Sequence, residues 1–377
     1  PAAIQAFQVA LRAEPNDHTL WLRLGEAYGK AGRYIAAIKA LEHSAELDPT
    51  DWLPQFFIAE AKQGVGLYRE AIEILASLSQ SRPQELGIHS SLAVAFLELG
   101  ATELEEGFIS RAESSFLSSI SNALKFLENP SGLRGIGWKI ITDATFYLSQ
   151  VSSFHSEEAV LASLRQVRAL LPTEIPRLKD ILPLPTLESP INGADALKIS
   201  IMSAEYRLSL SATSSDASAW YDLGMGLHTM SVQERTTPPA EAFLSLVVSC
   251  LTSAVKHEPG NPSFWSALGT AYFATNPRAA QHCFVKALEI DSKDATVWCN
   301  LGMLYYFHED VELAMEALRK AQVLDPDCAM AWVGQGLIAS AGGNEKSARA
   351  LFEHAVSLDH PLVRALKILL ISPELTM

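Results

Sequence analysis

The stretch WCNLGMLYY, Trp298 to Tyr306, sets a Trp, a Leu, a Gly and an aromatic at spacings of three, one and three residues. Residues three and four apart share one face of an α-helix, so Trp298, Leu301, Gly302 and Tyr305 form one stripe. Ala314, Leu318 and Ala321 form a second stripe of the same kind. Pro326, after Leu324 and Asp325, closes the unit because proline cannot continue a helix. Gly302 and Ala314 are small and let two helix backbones approach, while Trp298 and Tyr305 are expected to fill the volume around that contact. The stretch offers no nucleophile, base or phosphate cradle.

The frame recurs along the chain. Trp265, Leu268, Gly269, Tyr272, Ala280, Phe284 and Ala287 precede it, and Trp332, Gly336, Ala348, Phe352 and Ala355 follow it. Near the start it appears as Trp21, Leu24, Gly25, Tyr28, Ala37, Leu41 and Pro49. Self-similarity on a period of roughly 20–50 residues decides architecture before any local motif does. By these markers the chain resembles the tetratricopeptide repeats. Each helix pair leaves an apolar edge that only a neighbouring pair covers, which predicts an all-α tetratricopeptide-repeat superhelix, an α-solenoid, with an irregular helical middle segment.

Three regions follow. Residues 1–126 hold N-terminal repeats. Ala3, Phe7, Ala10 and Pro15 sit one period before Ala37, Leu41, Ser44 and Pro49, so residues 1–15 read as the second helix of a repeat lacking its first, as in a segment of a longer protein. A further repeat reads as Ile58, Ala59, Ala71, Leu75 and Pro83. Another opens with Leu92, Ala93 and Phe96, and an insertion delays its second helix to about Ala112. Residues 127–215 form a degenerate helical segment: "GIGWKIITDATFYLSQVSSF" and "SEEAVLASLRQVRALL" are helical without the markers, and the five prolines of 171–193 predict an irregular crossing. Residues 216–377 return to repeats at Trp220, Leu223 and Gly224, with the insertion "SVQERTTPPAEAF" before Val247, Leu251, Ala254 and Pro259. "PLVRALKILLI" begins one more helix.

Composition excludes several classes. The chain is 377 residues long, 48% hydrophobic and 19% charged, too apolar for disorder. A net charge of −14 without a basic stripe argues against direct nucleic-acid binding. No apolar run reaches membrane-spanning length, and the first residues lack a signal pattern. Cys250, Cys283, Cys299 and Cys328 are scattered without a C-x-x-C pair and read as core residues of a reducing compartment. "GLRGIG", Gly132 to Gly137, follows no strand pattern and reads as a helix connection, not a dinucleotide site. Glu105, Glu106, Glu157 and Glu158 read as solvated faces, and His43 and His282 as surface or half-buried. No catalytic residue, cofactor, metal site or small-molecule substrate is expected.

The order of segments, repeats flanking a degenerate stretch with "WKIITDATFYLSQ" at Trp138 to Gln150, then a Pro-containing stretch and renewed Trp-Leu-Gly repeats, is similar to the family of large tetratricopeptide scaffold subunits of the superkiller complex. That resemblance implies a non-catalytic cytoplasmic scaffold, a nuclear pool left open, holding a helicase and WD-repeat subunits that feed mRNA to the exosome for 3'-5' decay. The alternative is a regulatory or substrate-recruiting segment of a larger enzyme, such as a glycosyltransferase or ubiquitin-ligase assembly.

Function is therefore expected in surfaces. In repeats of this type the first helix lines the concave side, and the residues offset from the marker face are candidates for a partner groove: Tyr221, Met225, His228, Phe273, Met303, Tyr306, Phe307, Met330 and Leu337, with Thr296, Cys299 and Val333 nearby. Repeats that grip a C-terminal carboxylate present Lys, Asn and Arg, where this chain has Ser266, Thr270, Met330 and Gly334, with Asn300 as one match. An apolar groove suits an amphipathic helix or an extended apolar segment instead. The same residues also suit packing within the chain, and the convex face and the insertion around Thr236 to Glu241 remain alternative binding surfaces.

Overall fold

The computed structural model describes residues 2–128, 134–172, 177–178, 182, 185, 187–210, 216–233 and 240–358. Among them the chain forms eighteen α-helices and no strand. It divides into two compact units, Pro1–Ala212 and Thr213–Met377, each a stack of antiparallel helix pairs.

The first unit opens with α1 (Ala2–Ala13), followed by the pairs α2 (His18–Lys30) with α3 (Tyr34–Leu47), α4 (Leu53–Gly64) with α5 (Tyr68–Ser81), and α6 (Leu86–Glu105) with α7 (Ile109–Leu127). Helix α1 packs on α2 through Ile4 and Leu11, as the second helix of a pair does on the next first helix. The extra residues of the third repeat form no insertion loop. They lengthen α6 to 20 residues against 13 in α2, so that Ala112 lies in the first turn of α7.

Helices α8 (Arg134–Leu148), α9 (Glu157–Leu170) and α10 (Gly193–Leu210) complete this unit. The partner of α8 is α10, more than forty residues on, and not α9. Ser200 donates to the Thr142 carbonyl at 2.8 Å, and the indole of Trp138, 3% exposed, meets Tyr206 edge-on at 5.0 Å. Helix α9 docks on α7, where the buried Glu113 carboxylate accepts from the His155 and Ser156 amides at 2.8 and 2.7 Å. Glu157, expected on a solvated face, instead accepts from the Ser189 hydroxyl and the Ile191 amide, which hold its carboxyl below the usual range. Arg165, about two turns further along α9, donates twice to the Leu187 carbonyl. The Pro-rich crossing is thus tied to α9 and buries Leu178, Leu182, Leu187 and Ile191; among its described residues no helix precedes α10. Arg134 to Gly137, expected in a connecting loop, form the first turn of α8, and Gly137 packs on Leu127 and Phe126; Gly132 and Leu133 lie outside the described residues.

Among the described residues the second unit holds four pairs: α11 (Ala217–Gln233) with α12 (Ala240–His257), α13 (Pro262–Tyr272) with α14 (Pro277–Ile290), α15 (Ala295–Phe307) with α16 (Val311–Leu324), and α17 (Ala329–Ala341) with α18 (Glu345–Ser357). Residues 234–239 of the insertion and the terminal "PLVRALKILLI" lie outside the described residues.

The markers acquire distinct jobs. Where a first helix carries the marker glycine, that glycine faces a large side chain of the second: a Cβ on Gly302 would lie 2.8 Å from Leu318 Cγ, and on Gly336 2.6 Å from Phe352 Cε1. The tryptophan does not fill the centre. Trp298 is half-buried, and its indole N–H donates to the carbonyl of Ser292, six residues earlier. Trp21, Trp265 and Trp332 make the same bond to Pro15, Pro259 and Pro326 at 2.8 Å. An aromatic with a polar edge is suited to this rim position, where it clasps the turn between repeats. The tyrosine reaches the preceding repeat, Tyr305 accepting from Gln281 at 3.0 Å and Tyr28 from Gln8 at 2.8 Å. Helix starts are capped by Asp17, Asn261 and Asp294, whose side chains accept from first-turn amides.

Candidate protein-binding face

The first helices of the second unit carry the residues expected to line a groove. Of these, α13, α15 and α17 are each wedged between their own partner helix and the preceding repeat, so two of their faces are apolar. In α15 the buried residues are Val297, Cys299, Leu301, Gly302 and Leu304, with Trp298 and Tyr305 half-buried. Val333, expected beside the groove, belongs to the core at 5% exposed, and Cys299 at 3% follows its reading as a core residue and not the one beside the groove.

Structure brings part of the candidate set together. Phe307, at the C-terminal end of α15, is 62% exposed. It meets Phe273, just beyond α13, edge-on at 5.7 Å, and Tyr306 at 5.9 Å. Edge-to-face pairs at this distance are favourable, so the three rings form a surface cluster. Tyr306 and Met330 are half-buried against Ala314, Leu318 and Ala331. Met303 leans toward α17, where a Cβ on Gly334 would approach its sulfur to 3.2 Å. Leu337 is half-buried one turn further along α17.

The remaining candidates stand apart. Tyr221 on α11 stacks on Phe264 of α13, with ring centroids 5.0 Å apart, and so serves as inter-repeat packing. Met225 and His228 are half-buried on α11. The His228 Nδ1 is enclosed without a hydrogen-bond partner among the described residues, and burial lowers its pKa. Thr270 donates to the Ser266 carbonyl within α13, which satisfies its hydroxyl locally. Thr296 is exposed at the start of α15.

Sequence reasoning missed the indole clasp, although its signal is a fixed interval of six residues between Trp and acceptor. It also missed the approach of Cys299 to Cys328, with sulfurs 3.4 Å apart, for which no helical spacing rule exists. Among the described residues no cluster of three metal-ligating side chains occurs, and no helix is long and apolar enough to cross a membrane.

The face is thus aromatic and uncharged at its centre and is carried on rigid helices of successive repeats. Such a surface can bury an apolar segment of another chain.

Comparison with known proteins agrees with the architecture. The tetratricopeptide-repeat model matches residues 18–51, 270–327 and 299–360. Superkiller protein 3 of Schizosaccharomyces pombe is 31% identical over 295 residues, 74% of this chain and 20% of that protein. Tetratricopeptide repeat protein 37 of Xenopus laevis is 28% identical over 366 residues, covering 94% of this chain and 22% of the relative. Superkiller protein 3 of Saccharomyces cerevisiae is 26% identical over 375 residues, or 95% and 25%. The chain therefore spans between 20% and 25% of these relatives. Its stacked helix pairs, clasped turns and matched repeat models make it a tetratricopeptide-repeat protein, similar over most of its length to superkiller protein 3.

Proposed function

We propose that this chain is a non-catalytic scaffold segment of a superkiller-type complex. It holds a helicase and WD-repeat subunits in the cytoplasm and so assists exosome-mediated 3'-5' mRNA decay. The similarity to superkiller protein 3 supports the complex. The observation that carries the binding mode is Phe307, exposed at 62% yet held edge-on by Phe273 and Tyr306. A large aromatic fixed in place and open to solvent loses little conformational freedom on binding and gains the burial of its ring. The partner segment is apolar, an amphipathic helix or an extended strip.

The test is Phe307→Ser, with binding to the purified helicase and WD-repeat subunits measured by calorimetry. An anchor of this kind is worth about 2 kcal/mol, a loss of roughly thirtyfold in affinity. Binding should respond weakly to salt, since few charges at the centre of the face are screened. Unchanged affinity for every subunit, with an unchanged circular dichroism spectrum, would move the interface off this face.

A further inference from the structure

Cys299 lies on α15 and Cys328 caps the N-terminus of α17, so the two belong to successive repeats. Their sulfurs are 3.4 Å apart and hydrogen-bonded. Cys299 is buried, whereas Cys328 is partly exposed. The contact with Cys299 and, after it, the Ala331 and Met330 amides opening α17 lower the Cys328 thiol, against burial and Asp325. Cys299 is pushed far up, chiefly by the same hydrogen bond and by burial. A partly exposed sulfur thus lies against a buried one, and of the two Cys328 is the more readily ionised. This is the arrangement of an attacking and a resolving cysteine.

We propose that Cys328 and Cys299 form a peroxide-responsive pair that closes into a disulfide joining α17 to α15. The Cys328 thiol gives its proton to the solvent and its thiolate attacks a peroxide oxygen; the O–O bond breaks, hydroxide leaves and is neutralised by that released proton to water, and Cys328 becomes a sulfenic acid. The Cys299 sulfur then attacks the Cys328 sulfur. The S–S bond forms, the S–O bond breaks, and the hydroxyl departs as water with the Cys299 proton. Two electrons pass from the thiols to the peroxide. The closed pair ties together the two first helices that carry Met303, Tyr306 and Met330, so oxidation fixes the spacing of that face.

The test treats the 377-residue chain with equimolar hydrogen peroxide, blocks remaining thiols with N-ethylmaleimide, and maps disulfides by mass spectrometry without reduction. The expected product is a Cys299–Cys328 link, reversed by dithiothreitol and abolished in Cys328→Ser. In Cys299→Ser the sulfenic acid at Cys328 has no resolving partner and is trapped by dimedone. Iodoacetamide at pH 7 should label Cys328 roughly tenfold or more faster than Cys283, whose thiol burial pushes up to about 11. Free thiols at both positions after peroxide, a link to Cys250 or Cys283 instead, or absence of the dimedone adduct in Cys299→Ser would each overturn the assignment.

Discussion

Replacing Glu309 with glycine should stabilise the third helix pair of the second unit. The turn between first and second helix is the same in five repeats. Gly32, Gly66, Gly107 and Gly343 occupy it with φ of 70°, 84°, 84° and 75°, and Glu309 occupies it with φ 64°. Each turn carries the same two hydrogen bonds: Asp310 to the Tyr305 carbonyl at 3.0 Å matches Arg33 to Tyr28 at 2.9 Å, and Glu309 to Tyr306 at 3.1 Å matches Gly32 to Gly29 at 3.0 Å. This is the Schellman arrangement, whose left-handed residue is ordinarily glycine. A side chain in that conformation costs roughly 1–2 kcal/mol. Glycine gives back about 0.4–1 kcal/mol through the greater freedom of the unfolded chain. The net expectation for Glu309→Gly is a gain of about 0.5–1 kcal/mol, or roughly 1–4 °C in melting temperature for a unit of this size. The assay is urea unfolding followed by circular dichroism, with hydrogen exchange to localise the change to α15 and α16, because repeat stability is mostly a nearest-neighbour property. Gly343→Glu is the reciprocal control: a Cβ there meets nothing within 4 Å, so its loss of about 1 kcal/mol reports the backbone alone. If Glu309→Gly lowers the midpoint while Gly343→Glu also lowers it, the equivalence of the turns is wrong.

Two further outcomes follow from packing. Gly25→Ala should cost about 1–3 kcal/mol, because its Cβ would lie 2.4 Å from Leu41 Cγ, whereas Gly29→Ala in the same helix meets nothing within 4 Å and should add up to about 1 kcal/mol of helix stability; equal effects in thermal melts would refute the close approach. Trp332→Phe should lose about 1 kcal/mol with the bond to Pro326 while keeping most ring contacts, and a cost above about 3 kcal/mol would show that the ring is core after all.

Much of the fold was legible in the sequence. The stripes at Trp298 and Ala314 specify two helices, their recurrence specifies a stack, and Gly302 marks the contact, because helical spacing is a local property that the chain carries in its own order. The pairing of α8 with α10 was not legible. Between them stand α9 and the crossing, and no periodicity in either helix tells which later helix will cover its apolar face. The tethers Glu113 to α9 and Glu157 to the crossing were hidden for the same reason, since a glutamate looks alike in sequence whether it meets water or a backbone amide.

The candidate face shows the division most clearly. The sequence by itself determined that Phe273, Met303, Tyr306, Phe307 and Met330 lie off the marker stripes of their helices. Only the tertiary structure decided that Phe307 is open and braced by two rings, that Tyr221 is taken up by Phe264, and that Cys299 turns inward to meet Cys328. The physical reason is that periodicity fixes the angle of a side chain about its own helix axis. Exposure depends on which surfaces of the neighbouring repeats close over that angle, and the superposition of one helix pair on the next sets this.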